Sequence, residues 1–218
     1  MREAEKLSRE PITPAERKKR ADLREQLIFT IDGADAKDLD DAISVEKDGA
    51  GWKLGVHIAD VSHYVKEGSL VDEEAKQRGT SVYFADRVIP MLPEALSNGC
   101  CSLNAGEEKL AFSCFMTLDR KGNLRGYRFQ KSVICSKVRG VYDEVNQVLE
   151  GCAAERLKEK YQPVLASLQA GQELAQLLEA KAAAGAPWIL RAVKPGFSWT
   201  GMGLAWTFCR AVRAYLKK

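Results

Sequence analysis

Between Asp32 and Asp41 the chain reads DGADAKDLDD, and five of these ten residues are aspartates. The apolar run LIFTI precedes the stretch and AISV follows it, so the carboxylates are held between two segments with the composition of buried strands. Acidic residues in a solvated turn would need no explanation. Here the flanking strands pin the like charges against a core, where some must take up protons, lose stability, or share a cation. Oxygen-only donors suit Mg²⁺ or Mn²⁺. A calcium loop of the EF-hand type fails, because a register starting at Asp38 places Asp40 third but Ala42 fifth. Clustered aspartates without histidine suit phosphoryl transfer, in which a metal activates water and stabilises the leaving oxygen.

Other residues that could do chemistry have plainer readings. The cysteines are Cys100, Cys101, Cys114, Cys135, Cys152 and Cys209; no two form a C-x-x-C pair, and His57 and His63 are the only histidines. A zinc site is therefore not expected, and the thiols, including the adjacent Cys100–Cys101 pair, read as reduced core packing. His57 and His63 follow a strand and its continuation and read as structural; Asp60 reads as a strand-end or turn residue. Arg87 is either a phosphate contact or a solvated surface arginine.

The elements that must position the aspartates follow from local pattern. Residues 1–14 read as a polar, poorly ordered leader, and TPAERKKRADLREQ as a helix with Thr13 as N-cap and Pro14 at its first position. LIFTI is a strand, and DAISVEKDGAGWKLGVHIADV two strands joined at a turn around Asp48–Gly51. GSLVDEEAKQRG is a helix stopped by Gly79, and SVYFADRVIPMLP is extended because of its two prolines. Apolar alternation on both sides of Lys121–Gly122–Asn123 marks a hairpin. YDEVNQVLEG and the long stretch from Ala153 to Ala184 read as helices, the second bent near Pro163 and Gly171. The fold class is α+β, a mixed and largely antiparallel sheet with helices.

With 218 residues the chain can bury one sizeable core. No apolar run reaches the roughly 18 residues of a membrane-spanning helix, and the charged N-terminus is unlike a secretory signal, so a cytoplasmic location with no membrane partner is expected. The net charge of +3 comes from the tail: seven bases and no acid follow Glu179, which leaves −4 on residues 1–179. The basic balance therefore says nothing about nucleic-acid binding by the main domain.

FTIDGADAKDLDDAISV, GVHIADVSHYV, RGTSVYFADRVIPMLPEALSNGCCSLN and AFSCFMTLDRKGNLRGYRF together resemble the catalytic domain of the ribonuclease II and ribonuclease R family, and more closely its ribonuclease R branch. The resemblance covers about residues 20–181 and implies the N-terminal half of that domain. It implies a 3′-to-5′ exoribonuclease that hydrolyses single-stranded RNA to nucleoside 5′-monophosphates, with no DNA partner. The family's metal-binding aspartates, spaced by six, two and one, fall on Asp32, Asp38, Asp40 and Asp41, with Asp35 outside the set. They would hold Mg²⁺, or Mn²⁺, at the scissile phosphate. Tyr83 matches the family's aromatic clamp on the last nucleotide, although its type and place alone fit an ordinary strand aromatic.

The family's flanking OB-fold modules do not fit in this chain, and no motif matches the second clamp aromatic or the arginine of the domain's later half. The expected organisation is a polar leader (1–19), a partial, truncated catalytic domain (20–184) of impaired activity, and a basic tryptophan-rich tail (185–218). A non-catalytic RNA-binding module or a relic fragment is the alternative. Two readings of the tail stand. In one it is the family's continuation in a shifted frame: joining the third base of each codon to the next two forces aspartate at Trp188–Ile189 and Trp199–Thr200, and glycine at Met202–Gly203. In the other it is a native basic amphipathic tail for RNA or a membrane surface.

Overall fold

The computed structural model describes residues 2–49 and 51–185. Alternating apolar and polar residues give nine strands: β1 (Ala21–Leu23), β2 (Phe29–Asp32), β3 (Asp41–Asp48), β4 (Gly51–Ala59), β5 (Val82–Tyr83), β6 (Val88–Ile89), β7 (Glu108–Asp119), β8 (Leu124–Cys135) and β9 (Val138–Val141). Seven of them form one sheet in the order β1-β8-β7-β4-β3-β2-β9, and β5 and β6 form a separate ribbon. The outermost pairs, β1 with β8 and β2 with β9, are parallel. The pairs between them are antiparallel, so the sheet is mixed and largely antiparallel as its sequence pattern implies.

Both faces of the sheet are packed. Ile43, Val45, Leu54, Val56 and Met116 meet Val145, Tyr161, Leu168 and Leu174 from α5 (Tyr142–Leu149), α6 (Glu155–Tyr161) and α7 (Leu165–Gly185), and Val164 from the 3₁₀ turn between α6 and α7. Each buried aliphatic side chain of this kind contributes about 1.5–3 kcal/mol. On the opposite side Leu23, Ala42, Ala59 and Leu110 pack against Tyr64, Val71 and Leu96. These come from α3 (Val61–Tyr64), α4 (Leu70–Arg78) and a wide five-residue turn at Leu96–Cys100. The expected N-cap is formed, with the Thr13 hydroxyl accepting from Glu16 N (3.1 Å), and Gly79 stops α4 at φ 70° as expected; at the start of α4 the Ser69 hydroxyl accepts from Asp72 N. At the β7–β8 turn the Asp119 carboxylate accepts from the backbone of Lys121 (2.9 Å) and Asn123 (2.8 Å).

Three expectations change. The leader is not without order: α1 (Arg2–Ser8) inserts Ala4, fully buried, into the second core. The helix begun by Thr13 stops early, as α2 (Pro14–Lys18), because Ala21–Leu23 gains ladder bonds to Ser132–Ile134. The long helical region does break at Pro163, where a 3₁₀ turn separates α6 from α7, but Gly171 lies inside α7. There a Cβ would sit 3.6 Å from Val45 Cγ2, an ordinary packing distance, so the helix runs through the glycine without a bend. Among the described residues no helix is long and apolar enough to cross a membrane. The tail 186–218, with both readings of it, lies outside the described residues.

Candidate active site

β2 pairs with β9 along its whole length, from Phe29↔Val138 to Asp32↔Val141, but meets β3 only at Phe29↔Ile43. The two strands that carry the outer aspartates therefore diverge, and residues 33–40 bridge the opening. Leu39 plugs the loop into the protein, with 1% of its surface exposed. Its N–H donates to Ser102 Oγ (3.0 Å), its carbonyl accepts from Leu103 N (2.9 Å), and Ser102 Oγ donates to the Lys37 carbonyl (3.0 Å). The Asp40 carbonyl accepts from Ala59 N at 2.9 Å. On the other flank the Arg139 guanidinium donates to the carbonyls of Ala34 (2.9 Å) and Ala36 (2.8 Å). The loop backbone is thus held from both sides while the neighbours of Leu39, Asp38 and Asp40, are left less covered than Leu39.

Asp32 Oδ2 is buried and has no hydrogen-bond partner. Burial, reinforced by the charge of Asp41, pushes the Asp32 carboxyl up to about 7. Desolvation and the charges of Asp38 and Asp41 raise Asp40 to about 6. Asp40 is an exposed residue, so for it the like charges are the firmer cause. An orphaned carboxylate oxygen and a wholly oxygen donor set fit a hard divalent cation. The four residues do not close into a ligand cage: among the described residues no three acidic, histidine or cysteine side chains converge at metal-ligand spacing.

Asp38 and Asp40 open onto a cleft of about 580 Å³, and Tyr83 lines the same cleft. Asp35, Lys37, Ser81, Glu94, Ser97 and Asn98 complete the polar part of its wall, while Val88, Pro90, Met91 and Leu92 supply apolar surface. Asp32 and Asp41 are not in that lining; the charge of Asp41 acts on Asp40, and the charges of Asp41 and Asp38 act on Asp32. Tyr83 stands on β5 with 67% of its surface exposed, which is far from the packing of an ordinary strand aromatic. The β5–β6 ribbon carries it, with Val82 opposite Ile89 and Tyr83 opposite Val88.

The plainer readings hold for most of the remaining candidates. His57 is fully buried between Ser113 Oγ (2.8 Å) and Ser44 Oγ (3.2 Å), and burial pushes its pKa down to about 4. Asp60 begins α3 at the end of β4 and pairs with the buried Arg20 at 2.7 Å. His63 lies beside that pair, 3.3 Å from the Arg20 guanidinium. Arg87 stands 5.7 Å over the Phe84 ring and does not line the cleft. Sequence reasoning missed Ser102 and Arg139, which hold the loop backbone from 65 and 103 residues away. Only the presence of SNGCCSLN among the resembling segments hinted at the first.

The RNB domain model matches residues 20–189 of the chain. Ribonuclease R of Thermotoga maritima is 54% identical over 169 residues, which cover 77% of this chain and 23% of that protein. Ribonuclease R of Escherichia coli K12 is 48% identical over 161 residues, covering 73% of this chain and 20% of the relative. Among solved structures, Mycoplasma genitalium RNase R in complex with ribose-methylated single-stranded RNA matches with a TM-score of 0.77 and 34% identity. That match covers 83% of this chain and 28% of the other. The chain therefore spans about a quarter of the length of the proteins it matches.

Proposed function

From the premise that this chain belongs to the RNB-domain family, we propose that it is a 3′-to-5′ exoribonuclease that hydrolyses single-stranded RNA to nucleoside 5′-monophosphates in the cytoplasm. The observation that carries this reading is the shared cleft: two loop aspartates, Asp38 and Asp40, and the exposed ring of Tyr83 line one cavity. Tyr83 stacks on the 3′-terminal base, which needs no sequence readout because every base has a π-face. Asp38 and Asp40 face the scissile phosphate, and Asp32 and Asp41 supply negative charge behind them. The four aspartates would together hold Mg²⁺, or Mn²⁺, which supplies an acidified water as nucleophile and neutralises charge on the phosphate. Lys37 is the one base among the described residues lining the cleft, so the protein itself offers little to stabilise a phosphorane-like charge. For that reason the isolated chain works as an impaired enzyme.

The test is release of nucleoside monophosphates from single-stranded RNA by the purified chain, with Mg²⁺ and with chelator, beside Asp40→Asn. Slow, magnesium-dependent release abolished in the variant is the expected result. RNA binding without any release would identify a non-catalytic binding module instead.

A further inference from the structure

The Cys100 and Cys101 sulfurs lie 3.9 Å apart, and nothing in the proposed chemistry uses them. Cys101 is buried, 2% exposed, while Cys100 is only partly covered. The pair closes the wide turn at Leu96–Cys100: Cys101 N donates to the Leu96 carbonyl (2.9 Å) and Ser102 N to that of Gly99 (3.1 Å). The next residue, Ser102, is the one whose hydroxyl grips the backbone of Lys37 and Leu39. Two thiols, one partly covered and one buried, thus sit one peptide away from the clamp on the aspartate loop.

We propose that Cys100 and Cys101 are a redox modification site, a vicinal dithiol whose oxidation to a disulfide shifts Ser102 and loosens the aspartate loop. The oxidant class is a peroxide. The Cys100 thiolate attacks one peroxide oxygen, the O–O bond breaks, and one water leaves after protonation; the Cys101 sulfur then displaces the hydroxyl of the resulting sulfenic acid as a second water. Two thiols lose two protons and two electrons, and one peroxide becomes two waters. Cys100 is the residue an oxidant meets first. The hydrogen bond with the Cys101 thiol, aided by the ammonium of Lys109, holds the Cys100 thiol below its ordinary range. Lys109 is anchored there by a 2.7 Å bond from its Nζ to the Gly99 carbonyl.

A disulfide requires the sulfurs at about 2.0 Å, so the pair must draw together and rotate the peptide that joins them. Adjacent α-carbons are only about 3.8 Å apart, below the usual disulfide span, so the ring is strained and easily reduced. Rotation of that peptide works against the two turn-closing hydrogen bonds and carries Ser102 with it. The consequence for catalysis rests on the metal-site reading above, but the loosening of the loop does not.

The full chain is treated with hydrogen peroxide, then mapped by peptide mass and by backbone amide exchange, beside Cys100→Ser. The expected result is a loss of about 2 Da confined to the peptide holding residues 100 and 101, with exchange across residues 37–40 faster by about tenfold or more. Dithiothreitol reverses both changes, and Cys100→Ser shows neither. A disulfide elsewhere, no disulfide, or a vicinal disulfide that leaves exchange of the loop unchanged overturns the proposal. Manganese binding to the reduced chain is measured in parallel: its absence defeats the metal reading and leaves the result for the dithiol intact.

Discussion

Asp32 is the residue at which charge and fold conflict most directly, because one of its oxygens is buried without a partner. Its carboxyl moves from 3.8 to about 7 on folding, so between these values the folded chain holds a proton that the unfolded chain has lost. Stability of the metal-free protein therefore falls as pH rises through that window, and Asp40, raised to about 6, adds in the same direction. Thermal melts in chelator should show Tm dropping between about pH 5 and pH 7.5, with a flatter profile for Asp32→Asn. Magnesium should raise Tm at the upper pH more than at the lower, since only the ionised carboxylates hold a hard cation well. Parallel pH profiles for the two proteins would contradict this account. Tyr83 makes the complementary case, a residue whose value lies outside the fold. Its ring is mostly exposed, so Tyr83→Ala should leave Tm unchanged while weakening binding of a single-stranded RNA 3′ end by about tenfold or more. Fluorescence anisotropy with a 3′-labelled oligonucleotide measures this, and Tyr83→Phe should retain the binding.

The loop that carries these residues is an element only because distant backbone groups hold it. Ser102→Ala removes the acceptor for Leu39 N and the donor to the Lys37 carbonyl in a buried setting, which costs about 1–3 kcal/mol. Denaturant unfolding should register that loss, and proteolysis should find residues 33–40 more accessible, whereas Ser97→Ala on the same wide turn should do neither. Gly140 shows the same dependence on close approach: a Cβ there would lie 2.5 Å from the Thr30 carbonyl, between the parallel strands β2 and β9. Long-range contacts of this kind set the limit of what could be foreseen. The hairpins β3–β4 and β7–β8, the capped helix α4 and the break at Pro163 are written in local periodicity, turn residues and caps. The spacing of Asp32, Asp38, Asp40 and Asp41 was equally legible. The parallel pairing of β1 with β8, the burial of Ala4, and the grip of Ser102 and Arg139 on the loop were not, because each joins segments far apart in the chain. The ending of α2 at Lys18 belongs with these, since helical propensity in residues 19–26 lost to ladder bonds made by Ala21–Leu23.

At the scale of the molecule, the face of the sheet packed by α5, α6 and α7 does not stop where the helices do. Ile58 lies opposite Phe112 across β4 and β7, on the same side as Val56 and Met116. Phe112 stacks on Phe129 at 5.8 Å, and Tyr127 meets Phe129 edge-on at 5.6 Å. All four are exposed, with Phe112 at 44% and Tyr127 at 62%, so an apolar stripe continues the core into solvent. Contiguous exposed apolar surface of this kind drives association, and the stretch of β8 beyond its pairing with β1 at Ser132–Ile134 adds a strand edge. The chain should therefore self-associate in a concentration-dependent way, with little sensitivity to salt because the contact is apolar rather than ionic. Light scattering coupled to size exclusion measures this directly. Replacing both Tyr127 and Phe129 by lysine should shift the chain toward monomer. Because neither side chain is buried, the change should cost far less than the 3–5 kcal/mol of a core aromatic truncation, which a melt can verify. A wild-type chain that stays monomeric at high concentration would show that the stripe is too small to bind another copy. A double variant that still associates would place the contact elsewhere on the surface.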